Sequence, residues 1–69
     1  MFIKFNKYLI NTNQVKSITK EIKHVDSNKN EYCVIITLLK GSDREVFATR
    51  PEAEKRFTQL EEMLTQPIL

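Results

Sequence analysis

Cysteine, glycine and tryptophan are scarce in this chain of 69 residues, which has one, one and none of them. A single cysteine excludes an intrachain disulfide framework and any metal site built on several thiolates, and it suits a reducing compartment. A single glycine excludes the glycine-rich loops that cradle phosphates. We therefore expect a protein without cofactors that is kept in a reducing environment.

A long apolar segment is also missing. The N-terminal residues 1–5 carry a lysine at the fourth position, so they predict neither a signal peptide nor a membrane span, and we expect a cytoplasmic protein with no membrane partner. His24 is the only histidine, and the acidic residues are scattered singly. Without a ligand cluster or a carboxylate pair, we expect a non-enzymatic protein with no small-molecule substrate.

The composition is that of a small globular domain, with 41% hydrophobic and 29% charged residues. This length predicts one domain over 1–69. The net charge of +2 is unevenly distributed: residues 51–69 hold four glutamates against one lysine and one arginine, −4 + 2 = −2, which leaves +4 for residues 1–50. The asymmetry allows a mildly basic surface on the sheet, although solvated lysines on exposed strands are the commoner explanation.

The segment 31–40 is the longest apolar and β-branched run and organises the predicted fold. Side chains of a strand alternate between its two faces, and here both faces are mostly apolar, which is typical of a strand inside a sheet. One predicted face holds Tyr32, Val34, Ile36 and Leu38, and the other holds Cys33, Ile35, Thr37 and Leu39.

The first strand is predicted over 2–10, a segment rich in aromatic and β-branched residues. Asn6-Lys7 either splits this segment into a short hairpin or forms a bulge in one strand. The polar residues 11–14 suit a turn or a single helical turn.

Residues 15–25 fit both a helix and a strand, because their apolar residues recur at helical spacing but are largely β-branched. We predict a strand, since a loop over 26–30 then pairs its apolar residues with those of 31–40 on one face. The expected partners are Val25 with Glu31, Ile22 with Val34 and Ile18 with Leu38. This register places His24 and Cys33 on opposite faces and so argues against a Cys–His pair.

Gly41 marks the turn that follows the central strand, and 44–49 is predicted as the last strand. Its register stays open, because a slip of one residue exchanges the two faces. A two-residue loop places Phe47 on the face of Ile36, and a three-residue loop places Val46 and Ala48 there.

A helix is predicted over about 50–65. Thr49 as N-cap and Glu52 form a capping box, and Pro51 is tolerated in the first turn. Glu52 and Arg56 are spaced to pair across one turn, and Pro67 stops the helix. The predicted apolar stripe is Ala53, Phe57, Leu60 and Leu64, with Met63 at its edge.

The predicted fold is α+β: an antiparallel β-meander of three or four strands followed by one C-terminal helix packed on one face. One short helix covers only one face, so the other exposes an apolar patch that soluble monomers rarely show. We expect a homodimer or another protein to cover this patch, whose candidate residues are Cys33, Ile35 and Leu39. The alternative is that the N-terminal strand folds over it and closes a half-barrel.

The second functional hypothesis is a nucleic-acid-binding protein that uses the basic side of the sheet. Single-strand binders combine a basic groove with aromatic platforms. Here the aromatic residues are few, and glutamates interleave with the lysines. The candidate contacts are Lys16, Lys20, Lys23, Lys29, Lys40, Arg44 and Tyr32.

The order of elements resembles that of small bacterial FlbD-type proteins, which are encoded in flagellar operons. The matching residues are Ile10-Asn11 with Val15 and Ile18, the strand 34–38 with Gly41, and the helix from Pro51. The segment 20–30 is longer than in that pattern. Single-stranded-DNA-binding coactivators of the PC-four kind are similar in another way, with strands before a dimerising helix. Neither resemblance implies a particular functional residue here.

The leading hypothesis is a small protein–protein interaction or regulatory module that self-associates. Its size and its high content of isoleucine, lysine and asparagine, which AT-rich codons encode, suggest one form of this, an inhibitor of a host complex encoded by a phage or plasmid. The identity of the partner does not follow from the sequence.

Overall fold

A three-stranded antiparallel meander forms the framework of the computed structural model, which describes residues 1–65. A two-stranded hairpin precedes the meander and one helix follows it, so the predicted α+β class is confirmed. The predicted helix stop at Pro67 lies outside the described residues. The elements are β1 (Phe2–Phe5), β2 (Tyr8–Asn11), a 3₁₀ turn (Thr12–Gln14), β3 (Val15–Asp26), β4 (Lys29–Leu38), β5 (Ser42–Phe47) and α1 (Arg50–Thr65).

The N-terminal segment is a hairpin and not one strand. β1 and β2 pair antiparallel, with Ile3 opposite Ile10 and Phe5 opposite Tyr8. Asn6 begins the turn with φ of 56°, the left-handed region that asparagine tolerates better than most residues. Of the two readings of Asn6-Lys7, the hairpin is therefore confirmed.

The strand predicted over 15–25 is confirmed, but its register is two residues away from the predicted one. Ile22 lies opposite Tyr32 and Ile18 opposite Ile36. The difference arises because the chain reverses in a two-residue turn at 27–28 rather than in a loop over 26–30. Between Ser17 and His24, a shift of two residues keeps the side chains on their faces, so Ile18 and Ile22 still meet apolar residues of β4. The predicted pair of Val25 with Glu31 is wrong, because Glu31 lies opposite Lys23 and Val25 falls in a register irregularity between His24 and Asp26.

The turn between β4 and β5 lies earlier than predicted. The Leu38 amide donates to the Gly41 carbonyl at 2.9 Å, so Leu39 and Lys40 form the turn and Gly41 follows it at φ of 87°. The last strand is consequently 42–47 instead of 44–49. Phe47 lies opposite Tyr32 and on the face of Ile36, as the two-residue loop predicts.

Helix α1 begins where the sequence predicts. The Thr49 hydroxyl donates to the Glu52 carboxylate at 2.8 Å, which is a contact between the two side chains of the predicted capping box and not its side-chain-to-backbone bonds. The expected pair of Glu52 with Arg56 is wrong, because Arg56 pairs with Glu45 of β5 instead. The predicted stripe packs on the core, with Ala53 and Leu60 buried and Phe57, Met63 and Leu64 partly buried.

The core lies between one face of the meander, the helix and the N-terminal hairpin. The hairpin contributes Ile3, Phe5 and Ile10, β4 contributes Val34 and Ile36, and α1 contributes Ala53 and Leu60. Hairpin and helix thus cover the same face of the meander. The alternative in which the N-terminal strand closes a half-barrel over the opposite face is therefore wrong.

Candidate interaction surface

The face of the meander that points away from the helix is the candidate site, and we call it the open face. Because side chains alternate along a strand, the residues opposite Val34 and Ile36 share the core face, and their neighbours share the open face. The open face holds Ser17, Thr19, Glu21 and Lys23 of β3, Glu31, Cys33, Ile35 and Thr37 of β4, and Ser42, Arg44 and Val46 of β5.

The centre of the open face is apolar, and two opposite charges flank it on a diagonal. In one row across the sheet, Cys33 lies between Glu21 and Val46. In the next row, Ile35 lies between Thr19 and Arg44. Glu21 and Arg44 therefore stand at diagonally opposite corners of a patch formed by Cys33, Ile35 and Val46.

Cys33 is buried although it points away from the core. Its exposed fraction is 1%, yet it is not among the residues of the core cluster. Longer side chains surround it on the open face: Glu21 and Val46 in the neighbouring strands, and Glu31 and Ile35 along its own strand. The thiol thus fills a small hollow in the patch, as a small apolar residue does.

Four charged residues of the open face have no ion pair within residues 1–65: Glu21, Lys23, Glu31 and Arg44. The ion pairs of residues 1–65 join Lys20 to Glu54 and Arg56 to Glu45, and neither pair involves Glu21 or the Arg44 side chain. Lys23 and Glu31 lie directly opposite each other at the edge of the patch. Glu21 and Arg44 are the two that flank the apolar residues themselves, and both are exposed.

The predicted interaction residues lie partly on this face. Cys33 and Ile35 occupy it, whereas Leu39 lies in the turn after β4 and is 65% exposed there. The predicted placement of Leu39 on the face of Cys33 and Ile35 is wrong, because β4 ends two residues earlier than expected. Val46, which is 51% exposed, was not predicted here, since the sequence left the register of the last hairpin open.

The predicted nucleic-acid contacts are not brought together on one surface. Lys20 lies on the core face, with its Nζ 3.2 Å from Glu54 and 4.8 Å from the Phe57 ring centre. Tyr32 is half-buried on the same face, beneath the Arg50 guanidinium at 5.8 Å. The remaining candidates are spread over the open face (Lys23, Arg44), a register irregularity of β3 (Lys16) and two turns or their edges (Lys29, Lys40).

His24 and Cys33 lie on opposite faces, as the sequence predicts. The His24 Nδ1 is 2.7 Å from the Asn30 Oδ1, and both side chains are exposed. Within residues 1–65, no three histidine, cysteine or acidic side chains are grouped closely enough to hold a metal ion. No helix among the same residues is long and apolar enough to cross a membrane.

No family model matches the chain, and no curated protein or solved structure matches it significantly. The resemblances in element order therefore stay predictions. Function is therefore inferred from the geometry of the open face.

Proposed function

We propose that this chain is a small protein-interaction module that acts by binding and self-associates through its open face. The observation that carries the proposal is the one-sided cover of the meander. Helix α1 and the β1–β2 hairpin both pack on the core face, which leaves Ile35 and Val46 uncovered on the other face, around the enclosed Cys33. A second copy is the simplest partner, because one patch used twice forms a closed two-fold dimer.

The size of the open face predicts a weak dimer. Three strands at about 4.8 Å spacing and about six residues of each strand give a face of roughly 14 by 20 Å. Covering such a face buries less surface than the ~800 Å² per partner of a standard stable interface. We therefore expect a dimer that forms at micromolar concentration and exchanges, rather than an obligate one.

A regulatory role in the cytoplasm completes the proposal. In a weak, reversible homodimer, another protein can replace the second copy on the open face. An inhibitor of a larger complex would bind its target in this way. The single free thiol, Cys33, supports a reducing compartment. The absence of catalysis is part of the same proposal and stays a prediction.

Analytical ultracentrifugation over a concentration series tests self-association. We expect the mass to rise from that of one 8.1 kDa chain toward twice that value. Val46→Lys, which places a charge in the apolar patch, should keep the protein monomeric. Leu9→Lys is the matched control: it adds the same charge at a position that is 70% exposed on the N-terminal hairpin, and it should dimerise like the wild type.

A wild-type protein that stays monomeric up to millimolar concentration would overturn the proposal. A dimer that Val46→Lys leaves intact and Leu9→Lys disrupts would move the interface to the hairpin.

Fluorescence anisotropy with short single- and double-stranded oligonucleotides at two salt concentrations tests the nucleic-acid hypothesis in the same samples. Salt-sensitive binding would support that alternative, which no geometric observation favours.

A further inference from the structure

We infer that two copies pack open face to open face about a two-fold axis that seats Glu21 of each copy against Arg44 of the other. The inference rests on the proposed self-association and specifies its orientation. It is carried by the diagonal placement of two unpaired opposite charges around one apolar centre.

The positions of the two charges select the axis. Glu21 and Arg44 are separated by two strand spacings, about 9.6 Å, and by two residues along the strands, about 6.8 Å. A two-fold axis in the plane of the interface exchanges their positions only if it passes midway between them and is perpendicular to the line that joins them. That midpoint lies over β4 between Cys33 and Ile35, so the same axis runs through the centre of the apolar patch.

This axis also matches the apolar residues. It is inclined by roughly 35° to the strands, so the strands of the two sheets cross at roughly 70°, nearer to the orthogonal than to the aligned class of sheet packing. Val46 of one copy then lies over Cys33 of the other, and Ile35 packs near the partner's Thr19 and Ile35. The two Glu21–Arg44 pairs lie at opposite corners and enclose these contacts.

Other two-fold arrangements leave the charges unpaired. An axis parallel to the strands places Glu21 over the partner's Val46, and Arg44 over the partner's Thr19. An axis perpendicular to the strands places Glu21 over the partner's Thr19, and Arg44 over the partner's Val46. Both would desolvate two carboxylates and two guanidinium groups without a partner, which is strongly unfavourable.

Mixing two charge-reversal variants tests this orientation. Glu21→Arg and Arg44→Glu each turn both ion pairs of a homodimer into like-charge contacts, so each variant should dimerise at least about tenfold more weakly than the wild type. In the mixed dimer every Arg faces a Glu again. An equimolar mixture should therefore regain the wild-type dissociation constant within about threefold. Lys23→Glu, on the same face but outside the patch, is the control for a general charge effect and should change it less than about threefold.

The outcomes separate this inference from the proposal on which it rests. A wild-type dimer whose dissociation constant is unchanged in either variant, or a mixture that stays monomeric, would overturn the orientation and leave self-association standing. A monomeric wild type at every concentration would overturn both. Both residues are exposed, so the variants should fold, which circular dichroism checks. Glu21→Lys with Arg44→Asp gives the same readout if one of the first variants does not fold.

Discussion

Arg56 of helix α1 and Glu45 of strand β5 form an ion pair of 2.7 Å, with 18% and 17% of their side chains exposed. A second guanidinium nitrogen lies 3.3 Å from the other carboxylate oxygen, and it also donates to the Lys4 carbonyl of β1. The backbone amide of Asn6, in the hairpin turn, donates to the same carboxylate of Glu45 at 2.7 Å. This pair thus joins the helix, the hairpin and the meander on one side, and so leaves the other face open.

Replacing one member of this pair should destabilise the fold. Arg56→Met removes the charge and leaves Glu45 mostly buried without its main donor, so we expect the free energy of unfolding to fall by roughly 1.5–3 kcal/mol. Chemical denaturation measures this change. Glu54→Gln, which breaks the half-exposed pair with Lys20, is the matched control and should cost less than about 1 kcal/mol. Equal losses of stability for the two substitutions would contradict the larger contribution that we assign to the Arg56–Glu45 pair.

Truncating a leucine in the core should destabilise the protein far more than truncating a leucine on the surface. Leu60 is fully buried, and Leu60→Ala should lower the free energy of unfolding by about 2–5 kcal/mol through lost contacts and a cavity. Leu9→Ala removes the same atoms from an exposed position and should change it by less than about 0.5 kcal/mol. Similar losses for both variants would show that the hairpin face we describe as exposed is covered.

Substitution of Gly41 should destabilise the protein because of its backbone conformation alone. A methyl group at this position would meet no atom within 4 Å, but the φ of 87° is unfavourable for residues with a side chain. We expect Gly41→Ala to cost roughly 1–2 kcal/mol in thermal or chemical unfolding. Gly41→Asn should cost less, because asparagine tolerates left-handed conformations better. A neutral Gly41→Ala would mean that the turn takes another conformation.

Much of the fold was predictable from local pattern, because strand alternation and helix spacing are local properties of the sequence. The strand at β3 and the stripe of α1 are confirmed. The registers were less predictable, since the sequence 26–30 contains several turn-forming residues and does not show which two form the turn. The turn at Leu39-Lys40 was placed too late for a related reason: Gly41 follows the turn rather than beginning it.

The candidate site was only partly predictable, because it depends on contacts between distant segments. Cys33 and Ile35 follow from alternation in β4 alone. Val46 depends on the register of the last hairpin, and the partner of Arg56 depends on the packing of helix against sheet. The side on which the N-terminal hairpin packs has no local signal either, apart from the burial of its own apolar residues.

The enclosed position of Cys33 predicts slow thiol chemistry. Because 1% of the residue is exposed, reaction with a thiol reagent requires local opening, and we expect the native protein to react at least roughly a hundredfold more slowly than the unfolded chain. The control is Thr19→Cys in a Cys33→Ala background, which places a thiol at an exposed position of the same face and should react rapidly. Rapid labelling of native Cys33 would contradict its described surroundings.

If the protein self-associates as proposed, the open face of one copy lies against that of a second. Nuclear Overhauser effects between methyl groups of differently labelled copies, measured at a concentration where the mass doubles, detect this contact. We expect intermolecular contacts from Val46 and Ile35 and none from Leu9. A dimer with intermolecular contacts only at the N-terminal hairpin, or a protein that gives no such contacts at any concentration, would contradict this expectation.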